Sequence, residues 1–276
     1  MKILLPVSPG GSPGESLRLA IDTARALGGE IRALCIVDTE GIRRCESGAP
    51  PGAIHLARQA EERIAAREAR DGEAALSEIR AACAEAGIPF SREVVKGDPR
   101  RELSKEGAMC DLLVAGRDAQ FAYRGSDEPG EVVLALMKDR VLPLLLSAAP
   151  YRPVRTVAIG CGGGDRTARA VGAMARLSLW KSGCRIILLT VAGSGEEGET
   201  RMAGPRRILA DAGYGPPEEK VVSGPKADRF AAACEEAGAD AVVLGGWGEH
   251  RWDDVLGLSI TGRLLEERRR HLFLYM

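Results

Sequence analysis

The residues best able to do chemistry lie in one glycine-rich segment near the end of the chain, Gly245 to Leu265, which reads GGWGEHRWDDVLGLSITGRLL. Glycines at 245 and 248 carry no Cβ to hold a ligand off the main chain, so an anion can approach closely. Ser259 and Thr261, with Ile260 between them, stand where a helix begins, and hydroxyls and N–H groups at such a place donate to phosphate oxygens. This is anion-binding chemistry. His250 with Asp253 and Asp254 suggests acid–base work, but no nucleophile or metal ligand accompanies them. Trp247 and Trp252 could stack on a base, although tryptophan at a loop–helix junction more often serves packing or an interface.

Metal and thiol chemistry find less support. Cysteines at 35, 45, 83, 110, 161, 184 and 234 include no CxxC pair, and most sit in apolar stretches, as free thiols in a reducing compartment do. His55, His250 and His271 are far apart and lack the HxxxH spacing of a metal site. No metal cluster and no catalytic triad is expected.

A phosphate loop has to be positioned by a strand before it and a helix after it, and the sequence contains that unit twice. Lys2 to Ser8 corresponds to Thr156 to Gly162, each an apolar run followed by a glycine-rich turn and a helical pattern. Ile31 to Asp38 corresponds to Arg185 to Val191, both too short and too apolar for an amphipathic helix. Arg92 to Leu103 parallels Glu219 to Phe230, with Pro99 suited to the first turn of a helix. The clearest match sets Ala108 to Gly116 against Gly238 to Gly246: an Asp, four apolar residues and a glycine. Each copy closes on an apolar run, Val141 to Leu146 and His271 to Met276.

Alternating strands and helices with nearly continuous apolar strand interiors imply an α/β fold with two tandem doubly wound parallel sheets, five strands in each. The repeats span 1–148 and 153–276, joined near Pro150 and Pro153. The first repeat carries an extra helical segment at about 52–86, with an apolar stripe of Ile54, Ala57, Ile64, Leu76, Ile79 and Cys83, read as one long helix or a pair broken near Asp71-Gly72. This segment either covers a sheet face or presents a surface to a partner.

Composition narrows the function further. With 38 basic and 39 acidic side chains the net charge is −1, so no global field draws the chain to nucleic acid or to an anionic membrane. No apolar run reaches the roughly 20 residues that span a bilayer, and the expected location is cytoplasmic.

The strand order, the strand–turn–helix before the fourth strand and the loop after it resemble the universal stress protein family along nearly the whole chain, twice. The family's nucleotide motif has the form G-x2-G-x9-G-[ST]. Gly245, Gly248 and Ser259 fall in register with it, while Leu258 stands where its third glycine would be and Gly257 lies one position early. The resemblance implies the strand order 3-2-1-4-5 and an adenine nucleotide, ATP or AMP, in the second repeat, held by Gly160, Val191, Gly245, Gly248, Ser259, Ile260 and Thr261. The matching first-repeat positions, Pro6, Ser8, Val37, Gly116 and Gly130, form a degenerate site: Ala119 replaces the second glycine, and Asp127, Glu128 and Glu131 would repel phosphate. Both repeats lack the Asp with which nucleotide-binding members end strand one, having Ser8 and Gly162 instead. What the resemblance implies overall is a stress-response protein without turnover, binding a protein partner whose identity is unknown and assembling as an intramolecular pseudo-dimer of its repeats or as a homodimer. A ligand-free interaction module, and an adenine-nucleotide-hydrolysing or adenylyl-transferring enzyme of the same superfamily, stay open as alternatives.

Overall fold

Short apolar runs with no polar face have to be covered on both sides, and parallel strands joined by helical crossovers achieve this. The computed structural model describes residues 1–11, 13–46, 54–117, 119, 121, 123, 142–245 and 260–275. The chain divides into two compact units, Met1–Leu142 and Pro143–Met276.

In the first unit, β1 (Lys2–Val7) lies between β2 (Glu30–Val37) and β4 (Leu112–Ala115), and β3 (Phe90–Lys96) pairs with the outer edge of β2, all parallel. Pairing of β1 with β4 is confined to Ile3–Leu112 and Leu4–Leu113, and so ends before Pro6, which has no N–H to give a ladder. Helices α1 (Gly14–Leu27), α2 (Thr39–Glu46), α3 (Ile54–Ala86) and α4 (Pro99–Gly107) make the connections. Gly28 takes the left-handed conformation that closes α1, and Asp98 caps α4 by accepting the Arg101 N–H at 3.0 Å, with Pro99 in the first turn. Ile3, Leu4, Leu5, Ile31, Leu34, Leu76, Ile79 and Leu103 are fully buried between the layers.

The long α3 is unbroken across Asp71-Gly72, where the sequence offers a break as one option. Gly72 is there for proximity: a Cβ on it would sit 2.4 Å from the Cys35 Sγ on β2. Burial pushes the Cys35 thiol up to about 12, with Glu68 and Glu73 adding to the effect, so it packs as a neutral group.

The second unit contains β5 (Leu144–Leu146), β6 (Thr156–Gly160), α5 (Asp165–Arg176), β7 (Arg185–Val191), α6 (Gly195–Asp211), β8 (Glu218–Val222), α7 (Lys226–Glu236), β9 (Ala241–Leu244), α8 (Ile260–Glu267) and β10 (His271–Leu274). Its strands run β8-β7-β6-β9-β10, the order 3-2-1-4-5, all parallel. The first repeat shows the same order as β3-β2-β1-β4 before its closing strand. That strand, β5, takes the fifth place in the same order. It pairs antiparallel with β10, Leu272 opposite Leu146 and Leu274 opposite Leu144, and belongs to the second compact unit. The apolar β10 would otherwise leave an open row of N–H and C=O groups along one edge, and β5 takes up those groups.

His271 ties the segment after β5 to this edge. It is fully buried; its Nδ1 accepts the Ala148 N–H at 3.0 Å, so Nε2 carries the proton and donates to the Arg152 carbonyl at 2.8 Å. The Tyr151 ring meets it edge-on at 5.5 Å.

Two stability measurements check this packing. Gly72→Ala should destabilise the first unit by about 1–3 kcal/mol through the overlap with Cys35, outweighing the roughly 1 kcal/mol that alanine gains in a helix. Most of that loss should vanish in a Cys35→Ala background; equal losses in both backgrounds, read by urea unfolding, would mean the contact is loose. His271→Phe keeps the volume but leaves the buried Ala148 N–H without an acceptor, and should lower stability by about 1–3 kcal/mol in thermal unfolding. An unchanged transition would show that the imidazole bonds carry no net stabilisation.

Candidate functional site

Parallel strands deliver their carboxyl ends to one edge of the sheet, and ligands of such folds bind just beyond it. In the second unit that edge collects the ends of β6, β7 and β9. Beyond Gly160, the last residue of β6, the chain runs through Cys161, Gly162, Gly163 and Gly164 into α5. The helix has Gly164 at its N-cap with no side chain to cap it. Thr167, buried in the first turn, steadies the loop: its hydroxyl accepts the Gly162 N–H at 3.3 Å and lies 3.5 Å from the Gly160 carbonyl. The Thr190 hydroxyl donates to the Cys161 carbonyl at 2.7 Å. Burial pushes the Cys161 thiol up to about 12, which makes it a poor nucleophile at neutral pH.

The glycines here turn out to serve close packing. A Cβ on Gly160 would lie 2.6 Å from Leu244 Cδ2 and 3.2 Å from the Phe230 ring. One on Gly245, just past β9, would lie 2.3 Å from the Arg166 carbonyl carbon and 2.5 Å from the Thr167 nitrogen. The space its missing Cβ frees is therefore filled by the main chain of α5, which seats that helix against the end of β9. Ile260 and the buried Thr261 open α8. Gly248 and Ser259 lie outside the described residues, as do Trp247, His250, Trp252, Asp253, Asp254, Gly257 and Leu258.

Val191 ends β7, and its carbonyl accepts from Arg201 Nη1 at 2.8 Å. Arg201 projects from α6 and also pairs with Glu197 one turn earlier, whose other oxygen accepts the Gly193 N–H at 2.8 Å. Ser194 caps the same helix by accepting the Glu197 N–H at 3.2 Å. Gly163 has φ +79, and a Cβ there would meet the Arg201 side chain at 2.8 Å.

The first unit arranges its corresponding edge differently. Pro6 is buried in β1, the Ser8 carbonyl accepts the Gly11 N–H at 3.0 Å, and the Val37 carbonyl accepts the Gly97 N–H at 3.1 Å. The residue that follows β2 is Asp38, 3% exposed; its Oδ1 accepts the Gly41 N–H at 2.7 Å and its Oδ2 the Tyr123 N–H at 3.0 Å. Beyond β4 come half-buried Gly116, the buried Arg117, Ala119, whose N–H reaches the Gly116 carbonyl at 3.4 Å, and the buried Phe121. Asp38 thus fastens the stretch after β4 to the end of β2. Gly130, Asp127, Glu128 and Glu131 fall outside the described residues.

Sequence reasoning passed over Asp38, Glu197 and Arg201. The Glu197–Arg201 spacing of four residues is a legible helical ion-pair signal, but nothing local to it says that the pair folds over the end of β7. Asp38 followed three residues later by Gly41 marks a capped helix start, and its bond to Tyr123 spans 85 positions.

No protein-family model matches the chain, and no curated protein matches it in sequence. Among solved structures, a universal stress protein from Archaeoglobus fulgidus DSM 4304 is similar with a TM-score of 0.66 at 17% identity, over 99% of this chain and 97% of its own. A universal stress protein from Pseudomonas aeruginosa UCBPP-PA14, described as putative, gives 0.58 at 15% identity over 99% and 92%. A functionally unknown protein from Pseudomonas aeruginosa PAO1 gives 0.56 at 14% over the same shares. The chain has the universal stress protein fold.

The role of Gly245 in seating α5 is open to test. Gly245→Ala forces a Cβ into the main chain of Arg166 and Thr167, so it should cost the second unit about 1–3 kcal/mol in chemical denaturation, with or without nucleotide. Wild-type stability would show that this edge has slack.

Proposed function

We propose that the chain is a tandem universal stress protein with repeats at 1–148 and 153–276, acting without turnover and binding one adenine nucleotide, ATP or AMP, in the second repeat. The observation that carries this reading is the contrast between the residues that follow the second strand of each unit. In the first unit this is Asp38, buried, with its two oxygens taken up by the Gly41 and Tyr123 N–H groups, so that the stretch after β4 is drawn across the strand end where a ligand would enter. In the second it is Ala192, uncharged, beside the loop Gly162–Gly164 and a helix end that no N-cap side chain covers. Main-chain N–H groups at such an end favour an anion without any charged side chain.

In this reading Gly160, Val191, Gly245, Gly248, Ser259, Ile260 and Thr261 line the nucleotide, and the protein works in the cytoplasm through a protein partner. The two repeats act as a pseudo-dimer, with fusion keeping their effective concentration high. Among the described residues no helix is long and apolar enough to cross a membrane, and no group of acidic, histidine and cysteine side chains could hold a metal ion. The alternative of a ligand-free interaction module draws support from Arg201 and Glu197, whose side chains already bond the main chain at the end of β7.

Calorimetric titration of the full chain with ATP and AMP distinguishes the two. The nucleotide reading expects one site per chain, lost in Gly248→Val and kept in Ala119→Val. No heat with the parent favours the ligand-free module, and binding lost only in Ala119→Val would place the site in the first repeat.

A further inference from the structure

Two main-chain groups at the carboxyl end of β7 are already satisfied by side chains of the helix that follows. Arg201 holds the Val191 carbonyl at 2.8 Å, Glu197 holds the Gly193 N–H at 2.8 Å, and the two side chains pair with each other. The aliphatic stem of Arg201 lies so close to Gly163 that a Cβ there would come within 2.8 Å of it. One side chain thus lies across the loop after β6 and the end of β7 together, the two places where a planar ring with polar edges would find backbone partners. The Arg201 and Glu197 side chains keep 21% and 43% of their exposure, and an ion pair this open to water holds weakly.

We propose that Arg201, steadied by Glu197, is a latch over the second repeat's site, and that a nucleotide base enters by displacing it from Val191 and Gly163. The inference rests on the reading that this repeat binds an adenine nucleotide, and it adds the residue that sets the affinity. A carbonyl oxygen can accept two hydrogen bonds, but the stem over Gly163 takes the room a ring would need, so base and guanidinium compete for the place instead of sharing it. Breaking the charge-assisted bond to Val191 is a cost that the parent meets on binding and an alanine variant does not.

The test uses the full-length chain, AMP as the probe, and the variants Arg201→Ala and Glu197→Gln. Arg201→Ala should bind AMP about tenfold more tightly than the parent. Glu197→Gln, which keeps an acceptor for Gly193 but loses the charge that steadies the guanidinium, should show a smaller gain in the same direction. Without ligand, hydrogen exchange of the Gly193 amide, which Glu197 holds, should speed up several-fold in Arg201→Ala, reporting that the pair has loosened. Weaker or unchanged AMP binding in Arg201→Ala overturns the latch, since the arginine would then hold the ligand or ignore it. Unchanged exchange at Gly193 overturns it as well. Faster exchange with no AMP binding by any of the three proteins overturns the nucleotide reading and the latch with it, whereas AMP binding that Arg201→Ala leaves unchanged overturns the latch alone.

Discussion

A parallel strand ladder fixes where its strand ends go. Every crossover has to return the chain to the same edge before the next strand starts, so the carboxyl ends of β6, β7 and β9 open onto one line, as do those of β1, β2 and β4. The rest of the candidate site depends on this, because loops distant in sequence meet only through that shared polarity. The helices then have to sit close to the strands. Where they come closest the side chain is reduced to hydrogen, at Gly72 against Cys35 and at Gly245 against the first turn of α5. Those glycines set the distance between helix and strand.

Within that shared frame the two repeats have taken different courses. The first fastens the stretch after β4 to the end of β2 through a buried carboxylate, with Phe121 turned into the interior. The second has Ala192 in place of the acid and covers its strand end with a partly exposed arginine–glutamate pair carried on a helix. A buried carboxylate with two N–H donors is a fixed element, because removing either bond leaves a desolvated charge. A half-exposed ion pair is a movable one. On the proposed reading, this difference in burial is what assigns the ligand to the second repeat.

Much of the architecture could be read from the residues. The matched apolar runs at Ile31 and Arg185, and at Ala108 and Gly238, place the strands because a short run with no polar face can be little else. Pro99 and Gly28 mark the helix ends as local chemistry says they should. The pairing of β5 with β10 was not legible, because nothing local to an apolar strand of three residues points to a partner over a hundred residues away. The duties of Gly72, Gly160 and Gly245 were equally hidden. A glycine in a sequence signals a break, a turn or a close approach alike, and only the atoms opposite its missing Cβ decide which.

The site was legible as a set of positions and not as a set of contacts. Val191 and Gly160 fall at strand ends, where the repeat pattern puts them, but Arg201 and Glu197 come to Val191 and Gly193 through the pitch of α6, which no local pattern encodes. The central claim is that one repeat of two takes a ligand. Native mass spectrometry of the full chain at saturating AMP reads this directly: one nucleotide per chain is the result the account predicts, and two per chain, or none, would contradict it.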